Sequence, residues 1–211
     1  MALEDFTTYT EVEPDDRIQK TANHVDLLGY RDEDAYLYKD MGAAHFGNFD
    51  HKLDAKLVNG NWVNYIWGLA NGVDDLYALS PSLGVLMHGA DNKTYMHEDA
   101  AQVDVSTGTF TDDVMYYFRI KRSGTTLTCD VYGSAADRDN EANRIDNLSL
   151  SATVAATTYR YVYACSTLHY DTNHTFFSTH DIENLDLQEA AGLSIPVAMH
   201  HYNRINKIIR G

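Results

Sequence analysis

Carboxylates offer the first chemistry in this chain. The run Asp181-Ile-Glu-Asn-Leu-Asp186 puts three acids into one short extended segment. A retaining glycosidase needs two carboxyl groups about 5 Å apart, one of them protonated. Alternation along a strand sets Asp181 and Glu183 on one face and, without a bulge, Asp186 on the other. Glu183 then shares its face with Leu185 and Leu187, so the run reads as a closing strand with a solvated end. No Gly-x-Ser-x-Gly elbow marks a nucleophile. The ten histidines are scattered, and His200-His201 are adjacent, so they diverge on a helix; none forms a helical i,i+4 metal pair. Asp74-Asp75, after Asn71-Gly72, and Asp171 in a later loop present oxygens on turns, whereas calcium takes roughly six to eight. These residues predict no enzyme.

Aromatic rings offer a second kind of chemistry. Trp62, Tyr65, Trp67, Tyr116, Tyr161 and Tyr163 fall in extended segments. Flat rings on a concave sheet face form platforms for sugars; the same rings also serve as core or cross-strand packing.

The elements that must carry these side chains are strands. Thr111 to Tyr132 reads as a hairpin, with Val114, Tyr116, Phe118 and Ile120 alternating against Met115, Tyr117, Arg119 and Lys121, and a turn at Ser123-Gly124. From Phe49, one face carries His51, Leu53, Ala55 and Leu57, and the other a row of charges, Asp50, Lys52, Asp54 and Lys56, expected to face solvent. Trp62 to Ala70 is apolar on both faces, which marks a central strand. Further strands are expected at 5–13, 18–22, 24–30, 35–39, 76–79, 83–88, 93–97, 102–105, 109–111, 146–154, 159–166 and 182–187. Tyr159, Tyr161, Tyr163 and Cys165 are expected in line on one of them. Residues 133–143 read as a loop or one helical turn. Many short strands separated by Gly and Asn turns predict an all-β, two-sheet antiparallel sandwich or barrel.

Composition fits one globular domain of 211 residues, with fifteen Tyr and seven Phe favouring strands. A net charge of −15 argues against nucleic acid as a partner. No apolar run approaches the length that spans a membrane. MALEDF opens with charge, which predicts no signal peptide. Cys129 and Cys165 show no metal spacing; they are expected as buried free thiols, or as a bridge if their strands are neighbours. Beyond Glu189 there is no acid. Ala190-Ala191-Gly192 links residues 1–189 to a basic arm, 190–211, in which apolar residues recur at helical spacing.

The order of features resembles that of concanavalin A-like, laminin-G-like jelly rolls. The hairpin YYFRIKRSGTTLTCDVYG resembles their strand–Arg–Gly turn–strand unit, and TYRYVYACS through HDIENLDL their closing strands. FTTYTEVEPDDRI, DAYLYKDMG and HFGNFDHKLDAKL are similar to the first half, so the resemblance spans about residues 5–188. It implies a jelly-roll sandwich and, because lectin-like members carry calcium, makes Asp74, Asp75 and Asp171 candidate ligands. Glucanases of this fold carry Glu-x-Asp-x-x-Glu on one strand. Here Asp181, Glu183 and Asp186 keep the spacing with acid lengths exchanged, on a different strand.

The chain also resembles bacteriophage structural proteins in which such a body precedes an Ile-Pro-Val-Ala-Met-His-His-Tyr-type extension. That implies a non-enzymatic virion protein (capsid decoration, fibre or tail), assembled in the host cytoplasm. It would form homo-oligomers and be anchored to other virion proteins through Ile195, Val197, Tyr202, Arg204, Ile205, Lys207, Ile208 and Arg210. The alternative is a carbohydrate-binding module or lectin, serving host adhesion through a glycan bound on the aromatics.

Overall fold

The computed structural model describes residues 3–170 and 174–189. The basic arm, 190–211, with every anchoring residue assigned to it, lies outside them, as does Asp171. Within them the chain forms two antiparallel sheets of seven strands. The first is ordered β1 (Thr10–Val12), β4 (Tyr36–Asp40), β13 (Tyr161–Thr167), β6 (Val63–Ala70), β7 (Ser82–His88), β8 (Lys93–Glu98), β9 (Ala101–Val105). The second is ordered β12 (Leu150–Thr153), β11 (Thr126–Tyr132), β10 (Tyr116–Ser123), β5 (Phe49–Gly60), β14 (Phe177–Glu189), β3 (His24–Tyr30), β2 (Ile18–Lys20). One helix, α1 (Ala135–Asn140), starts at Ser134, whose hydroxyl accepts from the Asp137 amide, and ends at Glu141 in the left-handed region.

Alternating strand residues from both sheets fill the core between them, including Val25, Leu27, Leu53, Leu57, Phe118, Ile120, Val131 and Val162. The hairpin forms, β10 against β11 with Ser123 paired to Thr126 and Gly124 at φ +61, but its first strand begins at Tyr116, so residues 111–115, with the exposed Val114, lie outside it. β6 is buried along its whole length, as its two apolar faces require. Cys129 and Cys165 are free and buried, and burial pushes both thiols up.

Several expectations need correcting. Residues 76–79 form no strand: Asp75 caps a 3-10 turn, Leu76–Ala78, by accepting from the Tyr77 amide. The 5–13 segment opens with another such turn, Phe6–Thr8, capped by Asp5. Residues 109–111 lie outside any strand, and 146–149 precede β12. The charged face of β5 is not a solvated row. Asp54 is buried, ion-paired with Arg138 of α1 and hydrogen-bonded by the Asn184 amide at 2.8 Å. Asp50 takes a bidentate Arg119 at 2.6 and 2.8 Å.

Among the described residues the ladders carry five register shifts, three of which bear on the residues singled out above. One, between Tyr65 and Trp67, lets Ile66 and Trp67 both enter the core. A second, between Tyr163 and Cys165, breaks the expected line, leaving Tyr161 and Tyr163 outward and Cys165 inward. The third, at Asn184 (φ +55), falls between Glu183 and Asp186. It returns Asp186 to the outer face beside Asp181 and Glu183, and sends Leu185 to the core.

Candidate functional site on the outer face of the first sheet

The two outer faces differ in chemistry. That of the second sheet is a lattice of ion pairs, such as Lys52–Asp139 at 2.9 Å, Lys56–Asp113 at 2.7 Å and Lys56–Asp181 at 3.1 Å. Of the Asp181 run, Asp181 joins it through Lys56, whereas Asp186 accepts from the Gln188 side-chain amide at 2.7 Å; Asp26 on β3 stands directly opposite Asp181. Burial, then the neighbouring Asp181, pushes the Asp26 carboxyl above its usual range.

The outer face of the first sheet is aromatic. Tyr36, Tyr65, Tyr163, Leu76, Leu86 and Leu168 form a second apolar cluster there, flanked by half-buried Tyr38, Trp62, Tyr95 and Tyr161. The Leu76–Ala78 turn and the segment after β13 cover part of it. Asp75 ties them down: its carboxylate accepts from the Ser166 hydroxyl at 3.0 Å, the Tyr77 amide at 3.3 Å and the His169 amide at 3.2 Å. Only 2% exposed, its carboxyl is pushed up to about 7 by burial, against those three donors.

Beside this cover lies a cavity of about 150 Å³. Val63, Leu86 and Leu168 form its apolar part, and His88, Tyr95, His97 and Gln102, from β7, β8 and β9, its polar part. The polar groups are held by neighbours. Tyr65 hydroxyl lies 3.1 Å from His97 Nδ1. Burial pushes the His97 ring down to about 4 and the Tyr65 phenol up, so both are neutral near pH 7. With the phenol donating to Nδ1, Nε2–H is the nitrogen left to donate to a ligand. Asp91 accepts from Tyr95 hydroxyl at 2.5 Å and lies 2.7 Å from His88 Nδ1. Burial opposes ionisation of Asp91, but the bonds from Tyr95 and His88 outweigh it and hold the carboxyl low. Tyr95 is pushed up to about 12, by burial first and then by Asp91.

Of the six aromatics singled out from sequence, Trp62, Tyr65, Tyr161 and Tyr163 reach this face. Trp67 does not: it is fully buried between the sheets, donating to His51 Nδ1 at 3.1 Å. Tyr116 is on the second sheet, packed against the core, with its hydroxyl accepting from the Thr111 amide at 3.0 Å. Tyr163 is covered, its hydroxyl donating to Gly72 carbonyl at 3.1 Å. Trp62 donates from Nε1 to Leu168 carbonyl at 3.0 Å and is faced by the Arg31 guanidinium at 4.5 Å. Asp74 and Asp75 are not arranged as an ion cage, since Asp74 accepts from the Asp75 amide at 2.8 Å and Asp75 has the three donors above. Sequence reasoning missed His88, Tyr95, His97 and Gln102 as a group. One signal was present: Tyr95 and His97 alternate on one face of a strand whose other face holds buried Thr94 and Met96.

No protein-family model matches this chain, and no curated protein matches its sequence. Solved structures do match its fold. The exoplasmic/lumenal domain of VIP36, in its Ca²⁺/Man-bound form, superposes with a TM-score of 0.61 at 12% identity, over 89% of this chain and 85% of that one. The fold of the described residues is an all-β, two-sheet antiparallel jelly-roll sandwich. The carbohydrate-binding module CBM66 from Bacillus subtilis matches with a TM-score of 0.54 at 8% identity, over 89% of this chain and 97% of the other. An alginate lyase of polysaccharide lyase family 7 gives 0.53 at 12% identity, over 84% of each chain. At such identities the likeness concerns architecture, and that architecture occurs in both sugar-binding proteins and a lyase.

Proposed function

We propose that this chain is a non-catalytic, lectin-like carbohydrate-binding domain whose ligand, a neutral glycan, occupies the cavity on the outer face of the first sheet. One observation carries the reading. The cavity combines an apolar wall with polar side chains already fixed by hydrogen-bond partners, His97 by the buried Tyr65, and Tyr95 and His88 by the partly exposed Asp91. Sugars present alternating apolar C–H faces and hydroxyls, and sites of mixed apolar lining with a few oriented polar groups suit them. Among the described residues no lysine or arginine lines the cavity, and Asp91 lies beside it, which favours neutral over acidic sugars. Tyr65 and Tyr95 are both displaced upward, so neither is poised as a base, which supports binding without catalysis.

The mannose-bound VIP36 domain and CBM66 support a sugar ligand for this architecture. None of the neighbours named above is a virion protein, and the arm that motivated the virion reading lies outside the described residues. The structural comparisons therefore favour the carbohydrate-binding alternative. A glycan array probed with the full chain, once with calcium and once with chelator, tests the proposal. Selective binding to uncharged oligosaccharides is expected. No binding in either condition, or binding confined to acidic glycans, would overturn it.

A further inference from the structure

The Asp181 run acquires a role on the opposite side of the molecule, independent of the glycan site. β3 and β14 are antiparallel neighbours, with Asp26 directly opposite Asp181 and His24 directly opposite Glu183. Val25 and Ile182 point into the core, so the two strands set a His-x-Asp pair beside an Asp-x-Glu pair on the outer face. Like charges directly opposite each other across a ladder destabilise it. Among the described residues, Asp26 has no lysine or arginine at ion-pair distance. Lys56 serves one oxygen of Asp181, at 3.1 Å, and is shared with Asp113. His24 Nε2 lies 3.1 Å from Asp26 Oδ1, yet the atom is shut off from solvent and makes no hydrogen bond.

We propose that His24, Asp26 and Asp181 form a binding site for a divalent transition-metal ion, with Glu183 the next carboxylate available to its shell. The ligand atoms of the three residues all lie within 4.8 Å of one another. Zinc bonds of about 2 Å hold ligand atoms roughly 3.3 Å apart, a contraction within reach of side-chain rotation on a fixed ladder. An imidazole with carboxylates favours zinc over calcium or magnesium, which prefer shells of oxygen alone. The bound ion would cancel the Asp26–Asp181 repulsion and staple β3 to β14. A second group, Asp32, Glu33 and His174, has similar spacing, but Arg17 already holds Glu33 through both oxygens, at 2.6 and 2.8 Å.

The test uses the full chain, stripped with EDTA and titrated calorimetrically with Zn²⁺ alone and with Ca²⁺ alone, in the wild type, His24→Gln and Asp26→Asn. Both positions are partly solvent-exposed, and Asp26→Asn removes a repulsion, so both variants are expected to fold, with near-UV circular dichroism as the check. The wild type is expected to bind Zn²⁺ more tightly than Ca²⁺. Each variant should lose one zinc equivalent or weaken that site at least tenfold. Zinc should raise the melting midpoint of the wild type and of neither variant. Absence of zinc binding to the wild type, equal zinc binding in all three proteins, or tighter calcium binding would overturn the assignment.

Discussion

Replacing Asp75 by Asn should change how stability depends on pH, by an amount that follows from its burial. The carboxyl is displaced from 3.8 to about 7 in the folded protein, first by burial. Each tenfold change in proton affinity is worth about 1.4 kcal/mol, so the displacement corresponds to about 4 kcal/mol. Because the folded value is the higher one, the folded protein keeps a proton that the unfolded chain has released. This contribution is fully present below 3.8 and is lost as pH rises through about 7. His97 and His180, both depressed to about 4, act in the opposite sense, losing their contribution as pH falls from 6.5. They are common to both proteins and cancel in the difference.

Urea unfolding of wild type and Asp75→Asn at a series of pH values from about 4 to about 8 reads this directly. Asn places an amide against the His169 N–H, a donor facing a donor, which adds a pH-independent offset. On top of it, the variant should gain about 4 kcal/mol relative to wild type across the window. Parallel curves would refute the reasoning and mean that Asp75 is ionised and well solvated in the fold. The consequence reaches the cavity, because Asp75 and Trp62 hold the Leu168–His169 segment from two sides.

Other outcomes follow from the same physics. Arg138→Ala leaves Asp54 buried without its cation and should cost about 3–5 kcal/mol in urea unfolding, whereas Asp54→Leu with Arg138→Met should recover most of it. Gly84→Ala would set a Cβ 2.4 Å from the Tyr65 ring. It should destabilise by about 1–3 kcal/mol and weaken glycan binding by shifting the partner of His97. Cys129 and Cys165 should resist a thiol reagent in the native state and both react in denaturant, since burial pushes the thiols up.

The sandwich was legible where the alternation ran unbroken. β3 was placed at its observed bounds, and the buried faces of β5, β6 and the central hairpin follow their apolar residues. What was hidden depends on single-residue bulges, which leave little trace in composition yet invert every side chain beyond them. The bulge at 65–67 sends Trp67 inward while Tyr65 stays out, so two aromatics that appear to share a face do not. The Asn184 bulge does the same for Asp186. Asp75 reads as a turn acid, and its role as the buried clamp of a 3-10 turn arises only when β13 brings Ser166 beside it. Likewise His88, Tyr95, His97 and Gln102 become one site only through the pairing of β7, β8 and β9.

Binding of an uncharged oligosaccharide selected on the array, measured by titration calorimetry, tests the central claim most directly. The comparison is between wild type and two cavity variants, His97→Ala and Gln102→Ala. A lost hydrogen bond to a buried partner is worth about 1–3 kcal/mol, which predicts a roughly five- to 150-fold loss of affinity for His97→Ala. Gln102→Ala should show a smaller loss, since that residue is exposed. Unchanged affinity in both variants would place the sugar elsewhere and contradict the account.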